Sequence, residues 1–151
     1  MTHSDERDLT QRSQYFWFMP ITTRWMDNDI YGHVNNVNYY SYFDTVANSF
    51  LIQEGGLDIH NGHQIGYIVH SECFYKQALV FPQELEGALR VNKLGNSSVQ
   101  YGLAIFKKGE DKASAYGNFT HVFVDRETEK PQPINDHLRK MLSTLMDASE
   151  N

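Results

Sequence analysis

The chain has 151 residues, 40% of them hydrophobic and 13% aromatic, which suits one domain with its own core and excludes a disordered protein. Lys plus Arg number 13 against 19 Asp plus Glu, a net charge of −6, and a nucleic-acid binder would instead carry a basic face. There is 1 cysteine, Cys73, so no internal disulfide forms and a reducing, cytoplasmic setting is expected; no apolar run approaches the ~18 residues of a membrane span.

In chain order, Met1 to Ser13 is polar and mixed in charge, without the apolar stretch of a signal peptide. Residues 1–14 are expected to form a flexible tail, 15–146 a single domain, and 147–151 a second tail. Tyr15 to Trp25 is rich in aromatic and β-branched residues and reads as a strand. Pro20 inside it lacks an N–H and predicts an edge position or a bulge. A polar loop, Asp27 to Gly32, follows.

From Asn36 the pattern is helical: Tyr40, Phe43, Ala47, Phe50 and Leu51 share one face, and Tyr39, Tyr42 and Val46 cover another. A helix apolar on most sides is a buried one, and Gly55-Gly56 ends it. Leu57 to Gln64 reads as loop. Four strands are predicted next, Gly66–Lys76, Glu84–Asn92, Ser97–Phe106 and Ala113–Val124, in hairpin succession. Leu85, Gly87, Leu89 and Val91 alternate with Glu84, Glu86, Arg90 and Asn92, the mark of a sheet with one wet face. Asn135 or Asp136 caps a short closing helix with Leu138, Met141, Leu142 and Leu145 on one stripe. The sum is an α+β fold, an antiparallel sheet of about five strands wrapped around one long central helix.

The chemistry concentrates in Arg24-Trp25-Met26-Asp27-Asn28-Asp29-Ile30-Tyr31-Gly32-His33-Val34-Asn35-Asn36. Two carboxylates stand just ahead of asparagines that can cap a helix, and a helix start offers unpaired N–H groups and partial positive charge. A carboxylate beside such an oxyanion site supplies two parts of an acyl-transfer centre.

This stretch, with Tyr39 or Tyr40 and Phe43-Asp44 behind it, resembles the signature of the hot-dog-fold acyl-CoA thioesterases, the 4-hydroxybenzoyl-CoA thioesterase type above all. The likeness is close from Arg24 to about Gly56 and looser beyond, where Leu94-Gly95-Asn96-Ser97-Ser98-Val99 is similar to a turn and strand start of such proteins. It implies hydrolysis of an acyl-CoA, or acyl-carrier-protein, thioester without metal or cofactor. The acidic residue three positions before Gly32, here Asp29, is then nucleophile or general base, and the backbone N–H nearest Asn36 holds the carbonyl oxygen. It also implies a homodimer or a dimer of dimers, with each site built across a subunit boundary.

Other candidates divide between chemistry and structure. Asp27 is expected to pair with Arg24 or brace the loop. His33, beside the glycine, is a candidate acid, but a CoA thiolate leaves with little protonation and a structural hydrogen bond is favoured. Tyr40 is a candidate for the acyl pocket, and Lys93, Ser97 and Ser98 for pantetheine or phosphate contacts. Arg90, Lys107 and Lys108 are expected to be solvated charges. His60, His63 and His70 lack a carboxylate or thiol at ligand spacing, so no metal is expected, and Cys73 reads as a packing residue. Two other functions fit a thioester-binding fold: a hot-dog dehydratase or hydratase, and a non-catalytic acyl-thioester binding protein.

Overall fold

The computed structural model describes residues 7–58 and 60–147, so expectations for residues 1–6 and 148–151 lie outside the described residues. Five strands, β1 (Trp17–Thr22), β2 (Gln64–Tyr75), β3 (Glu84–Leu94), β4 (Ser98–Lys107) and β5 (Ala115–Asp125), form one antiparallel sheet in the order β1-β3-β4-β5-β2. The long helix α1 (Asn36–Gln53) is ~27 Å long at ~1.5 Å per residue. A short helix, α2 (Asp136–Ser143), closes one end and is capped by the Asn135 side chain.

α1 lies across β3 and β4. Tyr39, Tyr42, Phe43, Val46, Ala47, Phe50 and Leu51 are buried against Leu85, Leu89, Tyr101, Leu103, Phe119 and Phe123 of the sheet. Its remaining side, Ser41, Asp44 and Thr45, is exposed. Gly87 lets the helix come close: a Cβ there would collide with Val46 and Ile21. Pro20 sits where its missing N–H is harmless, on the edge strand β1 opposite Glu86.

Two expectations about the sheet are corrected. β3, β4 and β5 follow one another as hairpins, but β2 does not pair with β3; it pairs with β5, and residues 76–83 carry the chain across to β3 beside β1. Local turn signals mark where strands end but do not say which strands pair. Nor is the outer face of β3 and β4 wet. Tyr15, Ala88, Ala104, Phe106 and Ala113 form a second buried cluster there, because Leu9 to Gln14, expected as a tail, runs over that face. Arg12 pairs with Glu86 at 2.6 Å and lies over the rings of Phe18 and Phe106, while the Tyr15 hydroxyl donates to the Leu9 carbonyl. Arg90, expected in solvent, is 0% exposed. It donates to Asn92 Oδ1, to the Gln14 carbonyl and to Asp147, and lies over the Phe16 ring.

Candidate active site

The motif loop is braced from both ends. After β1, Trp25–Asp27 makes a single 3-10 turn. Asp27 is 1% exposed, and its carboxylate accepts from the Arg24 N–H at 2.9 Å, the Arg24 guanidinium at 3.1 and 2.9 Å, and the Tyr42 hydroxyl at 2.7 Å. Burial pushes this carboxyl up, but the hydrogen bonds from Tyr42 and Arg24 outweigh it and hold it below the usual carboxylate range. The Asp27 carbonyl accepts from the Asn35 N–H and the Asn38 side-chain amide. Asp27 thus both pairs with Arg24 and braces the loop.

Asp29 sits at the head of a tight turn. Its carbonyl accepts from the Gly32 N–H at 3.0 Å, its own N–H donates to the His33 carbonyl at 2.9 Å, and its Oδ1 accepts from the Tyr31 N–H at 2.9 Å. Among the described residues, its other oxygen, Oδ2, accepts no hydrogen bond. Gly32 has φ +82°, a left-handed conformation that side chains other than glycine adopt at a cost. The turn hangs from residues 79–81, through the Val34 N–H to the Leu79 carbonyl and the Phe81 N–H to Asn28 Oδ1.

The helix start is partly used by its own cap. Asn35 is the N-cap and takes the Val37 N–H on its side-chain oxygen at 2.9 Å, and the Asn38 N–H goes to the Asn35 carbonyl. Among the described residues, no acceptor takes the Asn36 N–H. It therefore remains a donor at the positive end of the helix dipole.

Asp29, Tyr31, His33 and Asn36 line one open cleft of about 450 Å³, whose far wall is Tyr39, Tyr75 and Lys76. The structure thus brings together three of the candidates in the motif, Asp29, His33 and Asn36, and adds Tyr31 from the same stretch. Gly32 shapes the turn and the exposed His33 contributes its main-chain carbonyl to it, while the structural hydrogen bond expected of the His33 side chain is not found among the described residues. Tyr75 and Lys76 were not anticipated. They end a strand whose partner could not be read from local sequence, so nothing signalled that it finishes beside Asp29. Tyr75 packs edge-on against Tyr39 at 5.0 Å, and burial and the neighbouring Cys73 push its hydroxyl up to about 12. Burial likewise raises the Cys73 thiol to about 11, so it stays protonated and is a poor nucleophile.

Other candidates stand apart from this cleft. Tyr40 is half-buried, stacked on Phe119 with ring centroids 6.2 Å apart; the neighbouring Tyr39 lines the cleft in its place. Lys93, Ser97 and Ser98 lie at the β3–β4 turn. That is the opposite end of the sheet from Asp29, roughly 30 Å along β3 at ~3.3 Å per residue. Within one protomer they do not reach the cleft.

The family model described as the thioesterase-like superfamily matches residues 23–142. The crystal structure of the PA5185 protein from Pseudomonas aeruginosa strain PAO1 is 54% identical, with a TM-score of 0.89 over 91% of this chain and 96% of that one. Slr0204 from Synechocystis, a 1,4-dihydroxy-2-naphthoyl-CoA thioesterase, shares the fold at 15% identity, with a TM-score of 0.75 over 83% of this chain and 94% of that one. The YsmA protein of Bacillus subtilis is 23% identical over 88 residues, 58% of this chain, and the match spans 59% of YsmA's length. Among the described residues, no helix is long and apolar enough to cross a membrane. A five-stranded antiparallel sheet around an 18-residue helix, together with a match over residues 23–142, makes this chain a hot-dog-fold member of the thioesterase-like superfamily.

Proposed function

We propose that the protein hydrolyses an acyl-CoA thioester to a free acid and CoA, with Asp29 as the catalytic carboxylate and the Asn36 N–H as an oxyanion donor. One observation carries the reading: the two groups line the same cleft, one with an uncommitted carboxylate oxygen and the other with an uncommitted N–H. Asp29 works in one of two ways. As a nucleophile it adds to the thioester carbonyl, the C–S bond breaks as CoA leaves as a thiolate, and water then hydrolyses the mixed anhydride. As a general base it takes the proton of a water whose oxygen adds to the same carbonyl, and the C–S bond breaks as before. Either route puts negative charge on the carbonyl oxygen, and a helix-start N–H stabilises that charge by ~3 kcal/mol.

The reading includes assembly as a homodimer, or a dimer of such dimers, joined along β2. That strand is 12 residues long, stands at the edge of the sheet and exposes Tyr67, Ile68, Val69, Phe74 and Tyr75, a combination that invites pairing with another strand. Two-fold antiparallel pairing sets the Gln64 end of one copy beside the Tyr75 end of the other. Lys93, Ser97 and Ser98 of a second copy would then come to the same end of the assembly as the Asp29 cleft, as candidate contacts for the CoA moiety.

The test is thiol release from benzoyl-, butyryl- and lauroyl-CoA. Wild-type protein is expected to turn over at least one of them, and Asp29→Asn to fold normally with turnover lowered roughly a thousand-fold. Binding without thiol release would support a non-catalytic acyl-thioester binding protein instead. Turnover unaffected by Asp29→Asn would remove Asp29 from the mechanism.

A further inference from the structure

Asp27 is tied to both halves of the cleft at once. We propose that it is a positioning residue for the thioester site, whose clamped carboxylate sets the spacing between Asp29 and the first-turn N–H groups of α1; the inference rests on the reading of Asp29 and Asn36 given above. Three connections support it. The carboxylate is held by the Arg24 backbone and guanidinium and by Tyr42 in α1. The carbonyl of the same residue receives the Asn35 N–H at 2.8 Å and the Asn38 amide at 2.9 Å, so it grips the residues on both sides of Asn36 and Val37. Asp29 follows two residues later along the chain.

Tyr42 matters because it is anchored. It is 5% exposed within the buried face of α1, so its hydroxyl is a reference point that cannot drift without disturbing the core. A carboxylate fixed to that point, with its main chain fixed to the helix start, leaves Asp29 and the Asn36 N–H little freedom to move apart. Reacting groups have to lie within about 3–3.5 Å of their targets, and a misplacement of about 1 Å costs on the order of a hundred-fold in rate. Asparagine at position 27 keeps the shape but loses the charge that draws in the Arg24 fork. Phenylalanine at position 42 removes one donor and leaves the helix packing in place.

The experiment measures kcat and KM for Asp27→Asn and Tyr42→Phe in the intact protein with the best of benzoyl-, butyryl- and lauroyl-CoA, with melting temperatures and the affinity for the non-cleavable thioether S-benzyl-CoA. Expected is a fall in kcat of about a hundred-fold for Asp27→Asn and about ten-fold for Tyr42→Phe, measured well below either melting point. KM and thioether affinity should move by less than about three-fold. Lower melting temperatures with wild-type kcat, or a raised KM with unchanged kcat, would reduce Asp27 to a structural clamp and overturn the proposal. If Asp27→Asn does not fold, Tyr42→Phe decides alone by the same criteria. Wild-type protein that releases no thiol from any of the three would sink the thioesterase reading, and this inference with it. Wild-type turnover abolished by Asp29→Asn but intact in both clamp variants would sink this inference only.

Discussion

His121 lies edge-on against Tyr101, ring centroids 5.0 Å apart and planes at 85°. His121 is 2% exposed, and among the described residues its Nδ1, like the Tyr101 hydroxyl, has no hydrogen-bond partner. Burial pushes the imidazole down from 6.5 to about 4, because a charged ring there would lose its water without gaining a partner.

That shift makes stability depend on pH. The unfolded chain takes up the proton near pH 6.5 and the folded protein only near 4, so between those values the unfolded state binds more protons. The stabilisation is complete above about pH 6.5 and is lost progressively as pH falls to about 4, by on the order of 3 kcal/mol. His121→Phe keeps a ring of similar size and removes the titration. Urea unfolding of both proteins from pH 7.5 to 4 is expected to show the variant losing less stability than wild type by about that amount. Parallel curves would mean that the imidazole titrates at the same pH in the folded protein as in the unfolded chain.

Gly32 and Gly87 are both small for different reasons, and alanine separates them. At Gly32 a Cβ meets nothing within 4 Å, but φ is +82°, so Gly32→Ala costs the backbone about 1 kcal/mol. At Gly87 the Cβ would collide with Val46 and Ile21, which forces the helix off the sheet and costs about 1–3 kcal/mol of overpacking. Calorimetry should show a smaller drop in melting temperature for Gly32→Ala, with turnover reduced because the turn carries Asp29. The opposite order of stabilities would contradict the close contact between α1 and β3.

Val69 tests the proposed β2 interface. It is 61% exposed on the edge strand, at a register shift between Ile68 and His70. A lysine on such an edge disfavours strand pairing between chains. Sedimentation velocity should find wild-type protein as a dimer or larger, and Val69→Lys shifted towards monomer with turnover lost in parallel. A wild-type monomer with full turnover would remove the interface from the proposal.

Much of the architecture was legible along the chain because it is written in local chemistry. Tyr39 to Leu51 has helical spacing, Asn35 and Asn135 carry cap chemistry, and Pro20 marks an edge; each depends on residues a few positions apart. The family likeness lies in Arg24 to Asn36 for the same reason, since Asp29, Gly32 and the cap of α1 are close in sequence. Arg90 was misread because alternation reports which residues share a face, not what lies on it. The cover arrives from Gln14, 76 positions away.

By itself, then, the sequence determined the element types, the central helix and the loop with its carboxylates, all set by short-range hydrogen bonding and periodicity. Only the tertiary structure decided that β2 pairs with β5, that Tyr39, Tyr75 and Lys76 wall the Asp29 cleft, and that Lys93, Ser97 and Ser98 lie at the far end of the sheet. Strand pairing is a choice among distant partners made by burying a common face. No window of a few residues carries the outcome of that choice.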